Sequence, residues 1–369
     1  MVYFILKRMV QSVFVMLAVA FLAFSLFRFV GDPITQMTGV ETSIADQERL
    51  REELGLNDPF VYQFARFTGD MLQGDFGFSY RTRQPVAEMI AERVPATLEL
   101  GVVALIISLL VGVPTGVYTA LKPQGVLTQT ILMTTLVGVS IPTFVIGISL
   151  IFIFGVQLGW LPTFGRGGTV QIGNWESSLF TIDGWRALLL PAITLGVYQL
   201  TLTMRLVRAE MMEVMRSDYI RFAMARGVPL KRLHYKHALV NTMVPVITII
   251  GLQFGGVIAF SIVTESVFQW PGMGLLFLES IRFVDIPVMG VYLVVIAFFF
   301  VVVNLVVDLL YVAIDPRLRI AMRHDRLFEE IRRSVAVLAF PYGDCRGGGC
   351  CIDHSRCVIC ILYCLGKSL

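Results

Sequence analysis

Residues 209–241 read AEMMEVMRSDYIRFAMARGVPLKRLHYKHALVN, a polar stretch set between long apolar runs. It carries Arg216, Arg221, Arg226, Lys231, Arg232 and Lys236 against Glu210, Glu213 and Asp218, six positive against three negative, a balance of +3. Such a segment cannot sit in hydrocarbon, and its basic excess places it on the cytoplasmic side of any membrane its flanks cross. Within it, residues 217–227 read as a short capped helix. Ser217 or Asp218 offers an N-cap acceptor, Gly227 a left-handed stop, and Pro229 blocks continuation.

Outward from this stretch, the chain is 56% hydrophobic and only 15% charged, with a mean hydropathy of +0.74. A soluble domain is nearer about 25% charged. The apolar residues are bunched into runs of roughly 20, the length that crosses about 30 Å of hydrocarbon as a helix. The fold class is therefore an all-α polytopic membrane protein with six transmembrane helices, at about 9–30, 96–121, 127–156, 187–204, 243–263 and 288–314. Lys7 and Arg8 before the first run, with Ala18-Val19-Ala20 inside it, mimic a secretory leader. The run continues through Phe21, Leu22, Ala23 and Phe24, so an uncleaved first span is expected.

Residues 31–95 hold six basic against eleven acidic residues, a balance of −5, opposite in sign to 209–241. This asymmetry puts 31–95 outside and both termini in the cytoplasm. A short helix is expected near 48–54 and a turn at Gly74-Asp75-Phe76-Gly77. Gly112 with Gly116, and Gly251 with Gly255, have the spacing of closely packed helices. The third span is interrupted between Gly138 and Pro142, and the outer loops 158–186 and 265–287 carry Trp160, Trp175, Trp185 and Trp270.

Several apparent sites dissolve on inspection. Gly366-Lys367-Ser368 imitates the end of a phosphate loop, but position 361 is Ile rather than Gly and no helix can follow. His234 and His237 have no carboxylate or cysteine nearby to complete a metal site. All six cysteines fall between Cys345 and Cys364, in a tail of altered composition. Asn304 and Asp308 lie one turn apart near the inner end of the sixth span, where the acid can snorkel or pair with a neighbouring helix. A net charge of +3 is too small to suggest nucleic acid.

Separated motifs now agree in order. Arg208-Ala209-Glu210-Met211, Asp218-Tyr219-Ile220-Arg221, Ala223, Ala225-Arg226-Gly227, His237-Ala238-Leu239-Val240-Asn241 and Pro245 resemble the cytoplasmic EAA loop of binding-protein-dependent ABC importer permeases of the dipeptide, oligopeptide and nickel type. Gly31-Asp32-Pro33, Leu54-Gly55-Leu56-Asn57-Asp58-Pro59, Pro95-Ala96-Thr97-Leu98-Glu99-Leu100 and Gly159-Trp160-Leu161-Pro162 resemble the same family. So do Phe268-Gln269-Trp270-Pro271-Gly272-Met273-Gly274 and Asp315-Pro316-Arg317-Leu318-Arg319. The triplet Arg221-Phe222-Ala223 departs from the general Glu-Ala-Ala, as in the peptide branch. The resemblance covers 1–319, and residues 320–369 have no counterpart in it.

The resemblance implies a non-enzymatic subunit of a bacterial inner membrane, forming half of a transmembrane pathway for di- or oligopeptides. It implies a second homologous permease, two cytoplasmic ATPases that hydrolyse the ATP, and an extracytoplasmic binding protein, with no cofactor on this chain. Ser217, Asp218, Tyr219, Ile220, Arg221, Phe222, Ala223, Ala225, Arg226 and Gly227 would form the helix that engages an ATPase. Tyr219, Ile220 and Phe222 would pack into that ATPase or onto the permease underside. A nickel or glutathione importer is the alternative within this class. An ion-coupled secondary transporter is the alternative outside it, weakened by the lack of an acid at the centre of a span.

Overall fold

The computed structural model describes residues 2–30, 48, 49, 52, 57–173 and 175–314. The tail cysteines and the whole Asp315–Arg319 motif lie outside the described residues, as do most of the expected 48–54 helix and the Gly31-Asp32-Pro33 motif.

Among the described residues the regular structure is helical, apart from one small hairpin and an isolated bridge between Phe78 and Pro85. Helix α1 spans Val2–Val30, α2 Phe60–Leu72, α3 Val86–Leu121, α4 Val126–Ser140 and α5 Thr143–Leu150, which continues as a π-helix over Ile151–Gln157. Strands β1 (Val170–Ile172) and β2 (Trp175–Ser177) pair antiparallel, Gln171 opposite Glu176. Then follow α6 (Ile182–Arg216), α7 (Asp218–Ala225), α8 (Leu230–Arg232), a π-helix over Leu233–Ala238, α9 (Leu239–Phe268), α10 (Met273–Arg282) and α11 (Ile286–Ile314). Among the described residues, five helices are long and apolar enough to cross a bilayer, and the count reaches six when α4 and the Thr143–Gln157 segment, bent by 105° from each other, are taken as one broken span. The bend falls at Ile141-Pro142, inside the interruption expected from the sequence.

Three boundaries differ from expectation. Helix α3 begins at Val86 and contains Pro95, where the sequence suggested a loop ending at that proline. Val86 and Ile90 are buried against Met273, Leu276, Val288 and Tyr292, and this packing holds the first turns in place despite the hydrogen bond that Pro95 removes. Helix α6 runs on to Arg216, so residues 209–216 are helix rather than loop. Met211 is fully buried there, and its face of the helix is still core after the hydrophobic run has ended. The third outer loop contains a helix of its own, α10.

The glycine pairs mark two tight helix contacts. A Cβ placed on Gly116 would lie 2.7 Å from Cβ of Val207 and 2.8 Å from the Met204 carbonyl oxygen, so α3 and α6 touch backbone to backbone. A Cβ on Gly251 would lie 2.4 Å from Cγ2 of Val307, and one on Gly255 2.6 Å from the Phe300 ring, where α9 meets α11. Close approach of this kind supplies the van der Waals contact that lipid cannot replace by hydrophobic exclusion. Asp308 does pair with a neighbouring helix: Arg8 of α1 holds both carboxylate oxygens, at 2.8 and 3.1 Å. The turn expected at Gly74–Gly77 is present, with the Gly77 N–H donating to Oδ1 of Asp75 at 3.0 Å.

Gly116→Leu should therefore force α3 off α6, because the obstacle is backbone and not a side chain that can swing away. Overpacking costs about 1–3 kcal/mol, read as a lower thermal midpoint of the detergent-purified protein. Gly69→Ala, inside α2 where a Cβ meets nothing within 4 Å, does not lower that midpoint and raises it by the equivalent of about 0.5–1 kcal/mol of helix propensity.

Candidate functional site

Helix α7 is joined to α6 through a single non-helical residue. Ser217 stands at the N-cap position with extended backbone (φ −68°, ψ 151°), as the sequence suggested, but its hydroxyl does not cap α7. Ser217 Oγ donates instead to the Val214 carbonyl at 2.5 Å, satisfying an acceptor at the end of α6. Asp218 does not cap the helix either; its carboxylate lies 3.7 Å from Arg221, an exposed pair of small energetic weight. The carboxyl end is as expected. Gly227 has φ +74°, its N–H donates to Met224 O at 2.9 Å, and the Val228 N–H donates to Ala223 O at 3.2 Å. These two bonds make a Schellman motif, which a residue with a Cβ would strain.

The eight residues of α7 are two-sided. Ile220 is fully buried among Val117 of α3, Val207 and Met211 of α6, and Val246 and Ile250 of α9, with Ala223 packed beside it. Leu233 and Ala238 complete this cluster. They stand five residues apart, and the π-helical winding of 233–238, with its i to i+5 repeat, brings both onto one face. Away from the core, Phe222 is 64% exposed, and Tyr219, Met224, Arg221 and Arg226 are exposed with it. The Arg226 guanidinium sits 5.7 Å from the Phe222 ring centroid. Tyr219 is tethered by Asn241, whose Nδ2 donates to the phenol oxygen at 2.6 Å. Of the three residues assigned either to a partner or to the underside, Ile220 thus faces the underside and Phe222 faces out.

At the opposite end of the bundle, segments far apart in sequence converge on two buried carboxylates. Glu99 of α3 accepts from Arg166 at 2.9 Å, from the Ser178 hydroxyl at 2.6 Å and N–H at 3.2 Å, and from the Trp175 indole at 3.3 Å. Arg166 also donates to the Glu176 carbonyl at 2.5 Å and lies 6.0 Å from the Trp270 ring. Glu265 of α9, wholly buried, accepts from Thr97 and Ser261 at 2.8 Å and from the Leu275 N–H at 3.0 Å. The Met273 N–H donates to Thr97 Oγ1 at 2.8 Å, so Glu265 and Thr97 together cap the start of α10. A Cβ on Gly272 would lie 2.4 Å from the Glu265 carboxyl, which is why that turn requires glycine. Trp270, also buried, donates its indole N–H to Ala96 O at 2.9 Å.

Nearby, Asp285 accepts from the Ser79 hydroxyl and from the Tyr80 N–H at 3.1 Å. Burial, with the charge of Asp285 adding to it, pushes the Tyr80 phenol up to about 12. The two glutamates were not singled out as a site from sequence. The signal was there: Glu99 interrupts an apolar run inside Pro95–Leu100, and an acid so placed needs partners.

Two family models match. One, described as binding-protein-dependent transport system inner membrane component, covers residues 112–320; the other, the N-terminal part of the same membrane component, covers 1–101. The oligopeptide transport system permease protein AppB of Bacillus subtilis is 39% identical over 320 residues, spanning 86% of this chain and 99% of the relative. The dipeptide permease DppB of Alkalihalophilus pseudofirmus is 35% identical (86% and 100%), and the glutathione permease GsiC of Escherichia coli K12 is 36% identical (86% and 99%). Among solved structures, an inward-facing form of the MetNI methionine ABC transporter shares the fold with a TM-score of 0.50 at 16% identity, over 62% of this chain and 96% of that one. With matched segments running from the first residue to 320 and the helical bundle to carry them, the chain belongs to the family of inner membrane components of binding-protein-dependent transport systems.

Proposed function

We propose that this chain forms half of the transmembrane pathway of an ATP-driven importer of di- and oligopeptides, and that α7 is where the ATPase acts on it. The oligopeptide and dipeptide permeases among its relatives, and the glutathione permease whose cargo is itself a small peptide, support this choice of cargo. A second homologous permease supplies the other half of the pathway. Two ATPase subunits lie beneath, and a binding protein delivers cargo to the far end. The charge asymmetry between 31–95 and 209–241 orients the chain with α7 and both termini in the cytoplasm.

The observation that carries the reading is the two-sidedness of α7. A coupling element must grip a partner on one side and the bundle on the other. Phe222, with Arg226 over its ring, Met224 and Tyr219 offers an aromatic and cationic grip, the composition favoured at interface centres. Ile220 roots the same helix in a core built by α3, α6 and α9. Because Ser217 alone separates α7 from α6 and Gly227 closes its other end, a push on Phe222 moves the helix as a unit. Transport then follows by rocking of helix bundles.

Two substitutions separate grip from root. Phe222→Ala leaves the thermal midpoint of the purified chain unchanged and weakens ATPase association by about 1–2 kcal/mol, roughly tenfold, with ATP-driven peptide uptake falling in step. Ile220→Ala opens a cavity and costs about 2–5 kcal/mol of stability. If Phe222→Ala transported normally, the assignment of α7 as the ATPase contact would be wrong.

Orientation is checked independently. Tyr219→Cys in inside-out vesicles reacts with a membrane-impermeant thiol reagent, and in right-side-out vesicles it does not; the reverse pattern overturns the topology. The tail cysteines are replaced by serine for this measurement.

A further inference from the structure

Halfway along the bundle two neutral side chains meet inside otherwise apolar helices. Gln199 is the central residue of α6, and its Nε2 donates at 2.8 Å to Oε1 of Gln253, midway along α9. Gln199 is buried and Gln253 half-buried. Level with this pair α4 ends: a Cβ on Gly138 would touch Val197 of α6 at 3.2 Å, and Ser140, Ile141 and Pro142 are all exposed at the 105° bend. On α9, one turn beyond Gln253, a Cβ on Gly256 would meet nothing within 4 Å, and one turn further Phe260 is 78% exposed. The glycines of α9 that face α11 are crowded, and this one is open.

Non-helical backbone and an amide at the depth of the bilayer centre are expensive against lipid and are tolerated where protein buries them or water reaches them. Interrupted spans in transporters mark such places. The chemistry of the pair says what could pass. Two carboxamides hold two carbonyl oxygens and four N–H groups, and among the described residues they make one hydrogen bond, with each other. One carbonyl and three N–H groups remain, the complement of a peptide group, which offers one donor and one acceptor irrespective of its side chain.

We propose that the Gln199–Gln253 pair and the open break at Ser140–Pro142 form a wall of the translocation pathway, where the carboxamides hydrogen-bond the main chain of a peptide in transit. The proposal rests on the peptide reading of the cargo. It goes beyond that reading by assigning the contact to the main chain. Being neutral, the pair neither selects for a charged side chain nor holds one back. The bland alternative is that the two amides only pin α6 to α9, as polar side chains do in many bundles.

The test uses the whole transporter in liposomes, with trialanine as cargo. Gln253→Leu should lower uptake per ATP hydrolysed about three- to tenfold, the loss of one or two hydrogen bonds in the crossing state. The double variant Gln199→Leu/Gln253→Leu should be no better. If the pair were only structural, the double variant would leave no unpaired amide and would restore uptake, overturning the proposal. Gly256→Cys, in a chain whose tail cysteines are replaced by serine, should react with a charged methanethiosulfonate from water in the resting assembled transporter. Inertness there places this face against lipid or the second permease and overturns the proposal. If wild-type transporter moves another delivered cargo but no trialanine, the peptide reading and the hydrogen-bonding role fall together. Reaction at Gly256→Cys would still support the wall.

Discussion

The close approach of α3 to α6 is the contact on which the remaining structure depends. At Gly116 the helices touch so nearly that a single methyl group would collide with the Met204 carbonyl and Val207. Packed interiors do not deform continuously; they hold or they rearrange. The two helices therefore act as one rib running the length of the bundle. At one end Val117 and Val207 close over Ile220, and at the other Ala96, Leu100 and Ala104 pack with Leu188, Ala192 and Trp270. On the coupling proposed above, a displacement of α7 is passed to this rib, because Ile220 is packed into its near end. That geometry is what makes the proposed coupling mechanically sufficient without a chain of special residues between the sites.

The far end shows how a membrane bundle fixes its loops. Glu99 and Arg166 cancel each other's charge at 2.9 Å, and the remaining acceptor capacity of Glu99 is taken by Ser178 and Trp175. A buried pair of this kind adds little net stability over an apolar replacement. Its contribution is register: Arg166 and Ser178, both in the outer loop, are pinned to the one Glu99 carboxylate of α3. Glu265 works differently, without a cation, through hydroxyls and the first N–H groups of α10. A carboxylate at a helix start also meets the positive end of the helix dipole. Thr97 serves both by donating to Glu265 and accepting from Met273, so the Pro95–Leu100 and Phe268–Gly274 motifs form one structure.

What could be read from the chain and what could not follow from the range of the interactions. The stop at Gly227, the glycine contacts and the break before Pro142 are local patterns, and each stands where the residues put it. For Asp308 the sequence leaves two ways to meet the cost of an intramembrane acid, snorkelling or a partner helix; the partner is Arg8, 300 residues away, which no local pattern names. The errors share one cause. Pro95 and the polar run after Arg208 look like helix ends when judged alone, yet tertiary burial of Val86, Ile90 and Met211 holds both segments helical. Ser217 looks like a cap because the competing acceptor, the Val214 carbonyl, belongs to a helix expected to have ended earlier. The carboxylate cluster draws on residues from Thr97 to Leu275, a separation over which sequence spacing carries no geometry.

The distribution of polarity along the bundle completes the picture. Titratable groups such as Glu99, Arg166, Glu265 and the Arg8–Asp308 pair stand toward the ends, each already committed to partners. The middle holds the glutamine carboxamides. A pathway must bind its cargo well enough to admit it and weakly enough to release it. A fixed charge at the low-dielectric centre would hold peptides of one sign and repel the other by several kcal/mol. A carboxamide offers about 1 kcal/mol per hydrogen bond to any peptide. Under the proposed peptide reading, selectivity is left to a binding protein while the membrane segment treats all main chains alike, and that division of labour requires the charges to be kept where this chain keeps them.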